Sequence, residues 1–180
     1  MSLRNHLTNY KRIAKNSETK SGNGKSFRCG KCGLCGGYRG FENMVKETEA
    51  ITLGPRTFRL KQKLCCQNFG IYAAICRMCK SIYVGQTCTS FKKRWASHRG
   101  MWRKMCSGVV KEDSHTDDQA LYRHFTKKHP ERGITFLTDA YEVVFVTQPQ
   151  KTELDIEESF WITKLNAEIN VNKTFLPKLK

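Results

Sequence analysis

The sequence predicts an α+β fold in which a small antiparallel β-sheet of three main strands is flanked by helices. Two apolar stretches, residues 69–76 and 81–86, are typical of adjacent strands, and a four-residue connection at 77–80 joins them. A third stretch, 141–147, alternates around Val143, Phe145 and Thr147, which is the period of a strand. Helical spacing of apolar residues between and after these strands supplies the flanking layers.

Three helices are predicted around this sheet. The first covers about 89–105, with Thr89 or Ser90 as its N-cap, and its inner face carries Phe91, Trp95, His98 and Trp102. The second covers about 117–129 and ends before Pro130, because the residue before a proline avoids helical geometry. The last covers about 152–166, and its buried stripe is formed by Leu154, Trp161, Ile162 and Leu165.

The residues before the sheet divide into two parts. Residues 1–25 contain a predicted short helix at 3–14 and a polar linker at 17–25. Residues 26–68 form a Cys-rich module with turn signals at Gly36-Gly37, Gly40 and Gly54-Pro55. This module is too short and too polar to hold a core unaided, so we expect a metal ion to stabilise it. The third predicted domain is 69–180.

The composition indicates a polyanionic partner and a reducing compartment. The 180 residues carry 32 Lys and Arg against 16 Asp and Glu, a net charge of +16, which favours nucleic acid over an acidic protein or a membrane surface. No apolar run could span a membrane and no N-terminal signal region is present, so export is not expected. Nine cysteines with Cys-x2-Cys spacing favour metal binding over disulfides. We expect a nuclear protein.

Arg94 and His98 lie one turn apart on the first predicted helix, so both side chains can face one point. A guanidinium contacts phosphate through two N–H groups and keeps its charge. The helix alone favours a solvated basic face for Arg94 and a core position for His98. We expect the surrounding basic residues to contact nucleic acid: Lys92, Lys93, Arg99, Arg103 and Lys104.

Glu158 falls inside the apolar stripe of the last helix, four residues after Leu154. A carboxylate in an apolar face is costly unless it meets a cation, a hydrogen-bond donor or a metal ion. A structural salt bridge, for example to Arg94, is the alternative to a metal ligand. Glu153 and Glu157 are expected on the outer face of the same helix.

Two groups of residues have the spacing of zinc ligands. The first is a Cys2His2 set in which His129 must swing back at the distorted helix end before Pro130; its members are Cys76, Cys79, His124 and His129. His115 is a less suitable substitute because it lies in a polar loop. The alternative is two buried thiols and two solvated histidines.

The second group lies upstream, where Cys29-x2-Cys32-x2-Cys35 supplies three thiols. Cys65 or Cys66 would supply a fourth. Cys88 and Cys106 are interpreted as plain core or surface thiols.

Two tripeptides carry a resemblance to a known family: Gly70-Ile71-Tyr72 and Tyr83-Val84-Gly85, with ten residues between them. Arg94 and His98 follow, and Glu158, Ile162 and Asn170 match a closing Glu-x3-Ile-x7-Asn pattern. In this order the chain resembles the GIY-YIG nucleases over about residues 69–172. Val84 stands where the family has isoleucine, a conservative departure. The resemblance implies a GIY-YIG nuclease-like fold that cuts a DNA phosphodiester with one Mg²⁺ or Mn²⁺.

The resemblance also implies a role for each site residue. Tyr72 would act as general base toward water or align it, with Tyr83 beside it, and Arg94 would stabilise the pentavalent phosphate. His98 would assist proton transfer or hold the phosphate. Glu158 would bind the divalent cation, and Asn170 would fix the phosphate or the local backbone. A tyrosine has an ordinary pKa near ~10, so as a base Tyr72 needs nearby cations to lower it.

The upstream Cys cluster and the Cys2His2 set together narrow the resemblance to the endonuclease domain of Penelope-like retroelements. Relatives with this cluster place a Cys seven residues before the first Tyr, which favours Cys65 over Cys66. The resemblance implies two structural Zn²⁺ ions, a DNA target, and element RNA and a linked or separate reverse transcriptase as further partners. The nick would leave a 3′-hydroxyl that primes reverse transcription. The alternative is a non-catalytic zinc module that only binds DNA or RNA.

Overall fold

A computed structural model describes residues 23–30, 32–35, 43–113, 115–133 and 136–171. The strands are β1 (Lys25–Ser26), β2 (Ala50–Leu53), β3 (Arg56–Arg59), β4 (Lys63–Leu64), β5 (Gly70–Cys76), β6 (Ile82–Thr87) and β7 (Tyr141–Thr147). The helices are α1 (Phe91–Cys106), α2 (Ala120–Lys128), α3 (Leu137–Ala140) and α4 (Leu154–Lys164), with 3₁₀ turns at Asp117–Gln119, Pro130–Arg132 and Lys151–Glu153. The predicted helix at 3–14 and the turn signals at Gly36-Gly37 and Gly40 lie outside the described residues.

Strand β5 is the centre of a three-stranded antiparallel sheet with the order β6-β5-β7. All of its residues are buried, because the sheet is covered on both faces. The predicted α+β fold class is confirmed, and each predicted boundary of these three strands lies within one residue of the observed one. In the part of the chain that the structure describes, no helix combines the length and the hydropathy needed to cross a bilayer.

The register of β5 with β6 brings the two tripeptides together. Tyr72 lies opposite Gly85, and Tyr83 lies opposite Ala74. Side chains alternate along a strand, so both tyrosines lie on one face of the sheet. Helix α1 covers that face through residues such as Phe91 and Trp95. Helix α4 covers the opposite face, which carries the intervening apolar side chains.

The described part of the Cys-rich segment packs on the outer edge of β7. The Lys46 N–H donates to the Val143 carbonyl at 2.8 Å, and the Val143 N–H donates to the Met44 carbonyl at 2.7 Å. The Phe145 N–H donates to Ser26 Oγ at 3.1 Å. These bonds satisfy an edge that would otherwise expose unpaired backbone groups. The predicted domain boundary at residue 68 stays a prediction, but residues on both sides of it share one hydrophobic cluster.

Two glycines allow backbone conformations that other residues adopt at a cost. Gly54, at a φ of +55°, turns β2 into β3 beside Pro55, where the sequence predicts a turn. Gly70 begins β5 at a φ of +132°, next to a register shift between Ile71 and Tyr72 in the pairing with β7. A Cβ at Gly70 would lie 2.2 Å from the Thr147 carbonyl oxygen. The glycine of the first tripeptide is therefore required by the backbone.

Replacing Gly70 with alanine should lower the free energy of unfolding by about 1–3 kcal/mol, because the new Cβ meets a strained φ and the Thr147 carbonyl. Gly100→Ala is the matched control: a Cβ there meets nothing within 4 Å, so this helical position should gain about 0.5–1 kcal/mol. Urea denaturation measures both. Equal stabilities for the two variants would contradict the assignment.

Candidate active site and metal centres

Tyr72 and Tyr83 lie side by side beneath α1. Both side chains are fully buried, and their ring centroids are 6.3 Å apart. Gly85 presses against this pair, since a Cβ there would lie 2.4 Å from Tyr72 Oη and 2.8 Å from Tyr83 Cε1. The second tripeptide therefore needs its glycine for close approach to the tyrosines.

The Tyr72 hydroxyl connects the sheet to Arg94 and His98 of α1. Its oxygen lies 2.7 Å from His98 Nε2 and accepts a hydrogen bond from Arg94 Nε at 3.3 Å. Burial, aided by the positive charge of Arg94, lowers the pKa of His98 to about 3, so the imidazole is neutral at neutral pH. A neutral Nε2 without a proton can accept the hydroxyl proton of Tyr72. His98 is therefore both a buried core residue and a neighbour of the Tyr72 hydroxyl, so the two interpretations of this residue agree.

The protonation state of Tyr72 in the free protein is set by burial. Burial raises the pKa of Tyr72 above its ordinary value, and the nearby Arg94 offsets this only in part. The cation that a tyrosine base needs is therefore present. Its attraction for the phenolate lowers the pKa of Tyr72 by less than desolvation raises it, so the net shift is upward. Tyr72 is a neutral phenol here, with a hydrogen-bond acceptor for its proton already in place.

Arg94 is held between two partners. Its Nη2 donates to Asp118 Oδ1 at 2.8 Å, while its Nε contacts Tyr72. The side chain is 27% exposed, so Arg94 contacts the buried Tyr72 hydroxyl at one end and remains accessible from the groove at the other. Among the described residues, Arg94 forms its salt bridge with Asp118 and not with Glu158.

Glu158 is half-buried on α4 and faces β6. Its Oε2 accepts a hydrogen bond from Gln86 Nε2 at 3.0 Å, and the same nitrogen donates to Asp155 Oδ1 at 2.6 Å. Burial raises the pKa of Glu158 to about 7; the Gln86 bond opposes this, and the charges of Asp117 and Asp155 reinforce it. A desolvated carboxylate beside other carboxylates has the chemistry of a cation ligand.

The remaining carboxylate on that turn of α4, Glu157, accepts the Trp161 Nε1–H bond at 3.2 Å. Its predicted position on the outer face is corrected to a half-buried one. An amide oxygen at position 157 could accept the same indole bond.

Sequence reasoning missed three polar residues of the site: Gln86, Asp117 and Asp118. Tyr83 Oη donates to Asp117 Oδ2 at 2.5 Å, and the other oxygen, Oδ1, is buried with no hydrogen-bond partner among the described residues. Two carboxylates at the start of a helical segment are ordinarily explained by the helix dipole, so the sequence gives no sign of their partners. Gln86 directly follows the second tripeptide, which was a usable signal.

Asn170 fixes the backbone of β6. Its Nδ2 donates to the Val84 carbonyl at 2.7 Å, and its Oδ1 accepts the Val84 N–H at 2.9 Å. The side chain is buried. Of the two roles that the resemblance implies for Asn170, this geometry fits the support of the local backbone.

An open groove of about 450 Å³ adjoins Arg94 and is lined by Gln86, Thr87, Cys88, Thr89, Lys93, Arg94 and Ser97. A second hollow of about 300 Å³ lies farther along α1, where Lys104, His98 and Asp118 form part of the wall. Lys92 and Arg103 are exposed on the same helix. Arg99 differs, because its guanidinium lies beside Gly33 of the Cys-rich segment.

The Cys2His2 set comes together at one end of the sheet. Cys76 Sγ lies 3.5 Å from His129 Nε2, and Cys79 Sγ lies 3.3 Å from His124 Nε2. The four ligand atoms lie within 4.8 Å of one another. Tetrahedral zinc with ordinary bond lengths places S and N about 3.5 Å apart, so the set fits the ion. His129 has a non-helical φ of −133° directly after α2, which is the predicted swing.

The upstream cluster contains Cys66 and not Cys65. Cys66 Sγ lies at three short distances from the other thiols: 2.8 Å from Cys29, 3.2 Å from Cys32 and 3.6 Å from Cys35. The preference for Cys65 is therefore corrected: Cys66 is fully buried toward the cluster, whereas Cys65 is half-buried outside it. Tetrahedral zinc holds thiolates ~3.8 Å apart, so four thiols this close fit one ion. Cys88 and Cys106 belong to neither group.

No family model and no curated protein matches the sequence. Among solved structures, the chain is similar to the catalytic domain of the homing endonuclease I-TevI, with 26% identity over 57% of this chain and 94% of that domain. The TM-score is 0.40. A score below 0.5 does not establish a common fold, so the function proposed below rests on the geometry of the site.

Protein purified without added metal should contain two zinc ions per chain by elemental analysis, one for each ligand group. Cys66→Ser should remove one of them, whereas Cys65→Ser should remove none. Loss of zinc from Cys65→Ser with retention in Cys66→Ser would restore the sequence-based choice.

His98 should remain neutral well below its ordinary range. Because its folded pKa is about 3 and an unfolded histidine titrates near ~6.5, the stabilisation from burying the neutral ring is complete above pH ~6.5. It is lost as the pH falls toward 3. NMR of the His98 ring should show no titration between pH 8 and 5, and a midpoint above pH 6 would contradict the buried position.

Proposed function

We propose that this protein is a divalent-metal-dependent DNA endonuclease that hydrolyses phosphodiester bonds. The observation that carries the proposal is the Tyr72 hydroxyl, which bonds both Arg94 and His98 beneath one helix. Glu158 lies near enough for its charge to act on Tyr72. This combination supplies an anion-binding group, a proton acceptor and a cation ligand, which phosphodiester hydrolysis requires.

A nucleic-acid substrate is supported by charge and shape. The net charge of +16 attracts a polyanion, and the groove beside Arg94 is open and contains the exposed Lys93. Arg94 can present a planar, permanently charged group to one phosphate. Lys93 lines the groove with Arg94, and Lys104 lies on the same side of α1 as Lys93, so these two can contact neighbouring phosphates. Lys92 and Arg103 are exposed on the opposite side of the helix from Arg94.

Glu158 would hold one Mg²⁺ or Mn²⁺, which when bound supplies charge neutralisation at the phosphoryl oxygens and a more acidic water. Gln86 orients the Glu158 carboxylate by donating to its Oε2. Asp155 shares that amide nitrogen and keeps the Gln86 side chain in place. The two carboxylates thereby face the end of β6, at the border of the groove.

Proton movement would run through Tyr72 and His98. The Tyr72 hydroxyl accepts a hydrogen bond from Arg94 Nε and lies 2.7 Å from His98 Nε2. In the tautomer with an unprotonated Nε2, Tyr72 would pass its proton to His98 as it takes a proton from the attacking water, so the phenol stays neutral throughout. The imidazolium formed on His98 would be stabilised by the negative charge of the bound phosphate, and the leaving oxygen would take its proton from solvent. Asp118 occupies Arg94 in the free protein and is 49% exposed, so a phosphate can approach Arg94 from the solvent side.

The finer function follows from the resemblance and from the two ligand groups. A nick leaving a 3′-hydroxyl would prime reverse transcription in a Penelope-like retroelement, with element RNA and a reverse transcriptase as partners in the nucleus. The Cys2His2 group and the four-cysteine group support this narrower assignment, because both occur together in this chain. Extension of the nick by a reverse transcriptase would test the 3′-hydroxyl directly.

A non-catalytic zinc module that binds DNA or RNA is the second candidate. The basic groove and the two zinc-type groups favour it equally well. It does not account for the desolvated Glu158, because a carboxylate near bound phosphate opposes binding.

Glu158→Gln should reduce plasmid nicking in the presence of Mg²⁺ by at least ~10²-fold while DNA affinity is kept or raised, since a charge that repels phosphate is removed. Glu157→Gln is the matched control, because its amide can still accept the Trp161 bond. EDTA should abolish cleavage by wild type. Equal nicking by Glu158→Gln and wild type would favour the binding module.

A further inference from the structure

We propose that the four-thiol cluster of the Cys-rich segment positions helix α1 over the sheet, so that this cluster controls the cleavage step and not only DNA affinity. The inference rests on the proposed nuclease function. It assigns to Cys66 and Asn68 the role of positioning residues, because neither one touches the Tyr72 network itself.

The N-terminus of α1 depends on the loop that contains Cys66. The Phe91 N–H donates to the Asn68 carbonyl at 2.8 Å, and the Lys92 N–H donates to the Cys66 carbonyl at 3.0 Å. The N-cap residue, Ser90, makes no side-chain capping bond. Two N–H groups that a helix leaves unsatisfied are therefore paired by a segment distant from it in sequence.

Cys66 has two functions in this arrangement. Its thiol lies within 3.6 Å of each of the other three thiols, and its carbonyl accepts from the first turn of α1. The residue is fully buried. Loss of the thiol cluster would therefore release the residue whose carbonyl holds α1.

Asn68 makes the connecting loop rigid. Its Oδ1 accepts the Cys65 N–H at 2.9 Å, and its Nδ2 donates to Gln148 Oε1 at 2.9 Å. The Asn68 N–H also closes a turn onto the Cys65 carbonyl at 3.0 Å. The loop from 65 to 68 is thereby tied to the segment after β7.

The consequence falls on Arg94 and His98, which lie in the N-terminal half of α1. Their partner Tyr72 belongs to β5, which is held by backbone pairing along both edges. A displaced α1 would move Arg94 and His98 relative to a fixed Tyr72 hydroxyl. A misplacement of ~1 Å in such a site can cost ~10²-fold in rate.

The test compares full-length Cys29→Ser, Cys65→Ser and Asn68→Ala. Each variant is measured for zinc content, amide hydrogen exchange, DNA affinity and single-turnover cleavage at saturating protein. Cys29→Ser should lose one zinc, exchange the Phe91 and Lys92 amides at least ~10-fold faster, and cleave at least ~10-fold more slowly at saturation. Cys65→Ser, whose thiol lies outside the cluster, should match wild type in all four.

Asn68→Ala keeps every thiol, so it separates positioning from metal binding. It should retain both zinc ions and DNA affinity, yet show the faster exchange at Phe91 and Lys92 and the slower cleavage. Asn68→Asp should restore both, because its oxygen still accepts the Cys65 N–H and the Gln148 amide can turn to donate. If Cys29→Ser does not fold, Asn68→Ala decides alone.

Wild-type cleavage at saturation by Cys29→Ser, with only DNA affinity reduced, would overturn the inference. So would unchanged exchange at Phe91 and Lys92 in Asn68→Ala. Failure of the proposed function is distinguishable from both results, because wild type itself would then not cleave, whereas exchange and zinc content are measured without any activity.

Discussion

The pairing of β5 with a strand on each edge sets the position of Tyr72, on which the other contacts of the site depend. Tyr72 stands on this strand, and its register with β6 sets Gly85 against the Tyr72 ring and Tyr83 beside it. The strand cannot slip by one residue, since every side chain would then change faces and exchange two different cores. The Tyr72 hydroxyl is consequently a fixed point to which α1 brings Arg94 and His98.

Burial away from water is the main cause of the shifted pKa values of the groups around the Tyr72 hydroxyl. Burial keeps Tyr72 protonated and His98 neutral, and it raises the pKa of Glu158 as well. Each group is therefore in its uncharged form or near the transition to it in the free protein. Arg94 keeps its charge because Asp118 and the Tyr72 hydroxyl solvate the guanidinium in place of water. Charge arriving with a phosphate or a cation would be screened less in such a site than in water.

The two ligand groups sit where the chain most needs cross-links. The Cys2His2 group joins the β5–β6 connection to the end of α2, and the four-cysteine group joins the N-terminal segment to the loop before β5. Both therefore act on elements that carry the site, through contacts with β5 in one case and with α1 in the other. Metal binding at these two groups would add folding stability that a small sheet with few covering helices does not obtain from its hydrophobic core alone.

The sequence by itself determined the three strands of the main sheet, the three long helices and the ligands of both zinc-type groups apart from the choice between Cys65 and Cys66. These follow from local spacing: strand and helix periodicity and Cys-x2-Cys pairs. The six candidate site residues were selected by a resemblance carried by the two tripeptides and the residues that follow them. Only the tertiary structure decided that Cys66 and not its neighbour faces the cluster, that Arg94 pairs with Asp118, and that Gln86 orients Glu158. Only the fold revealed that the pKa of Tyr72 is raised despite the adjacent Arg94, because a pKa depends on burial, and burial is not local in sequence. Adjacent thiols and adjacent carboxylates have nearly the same spacing to every distant partner, so the choice between them is made by the direction in which the folded backbone points each side chain.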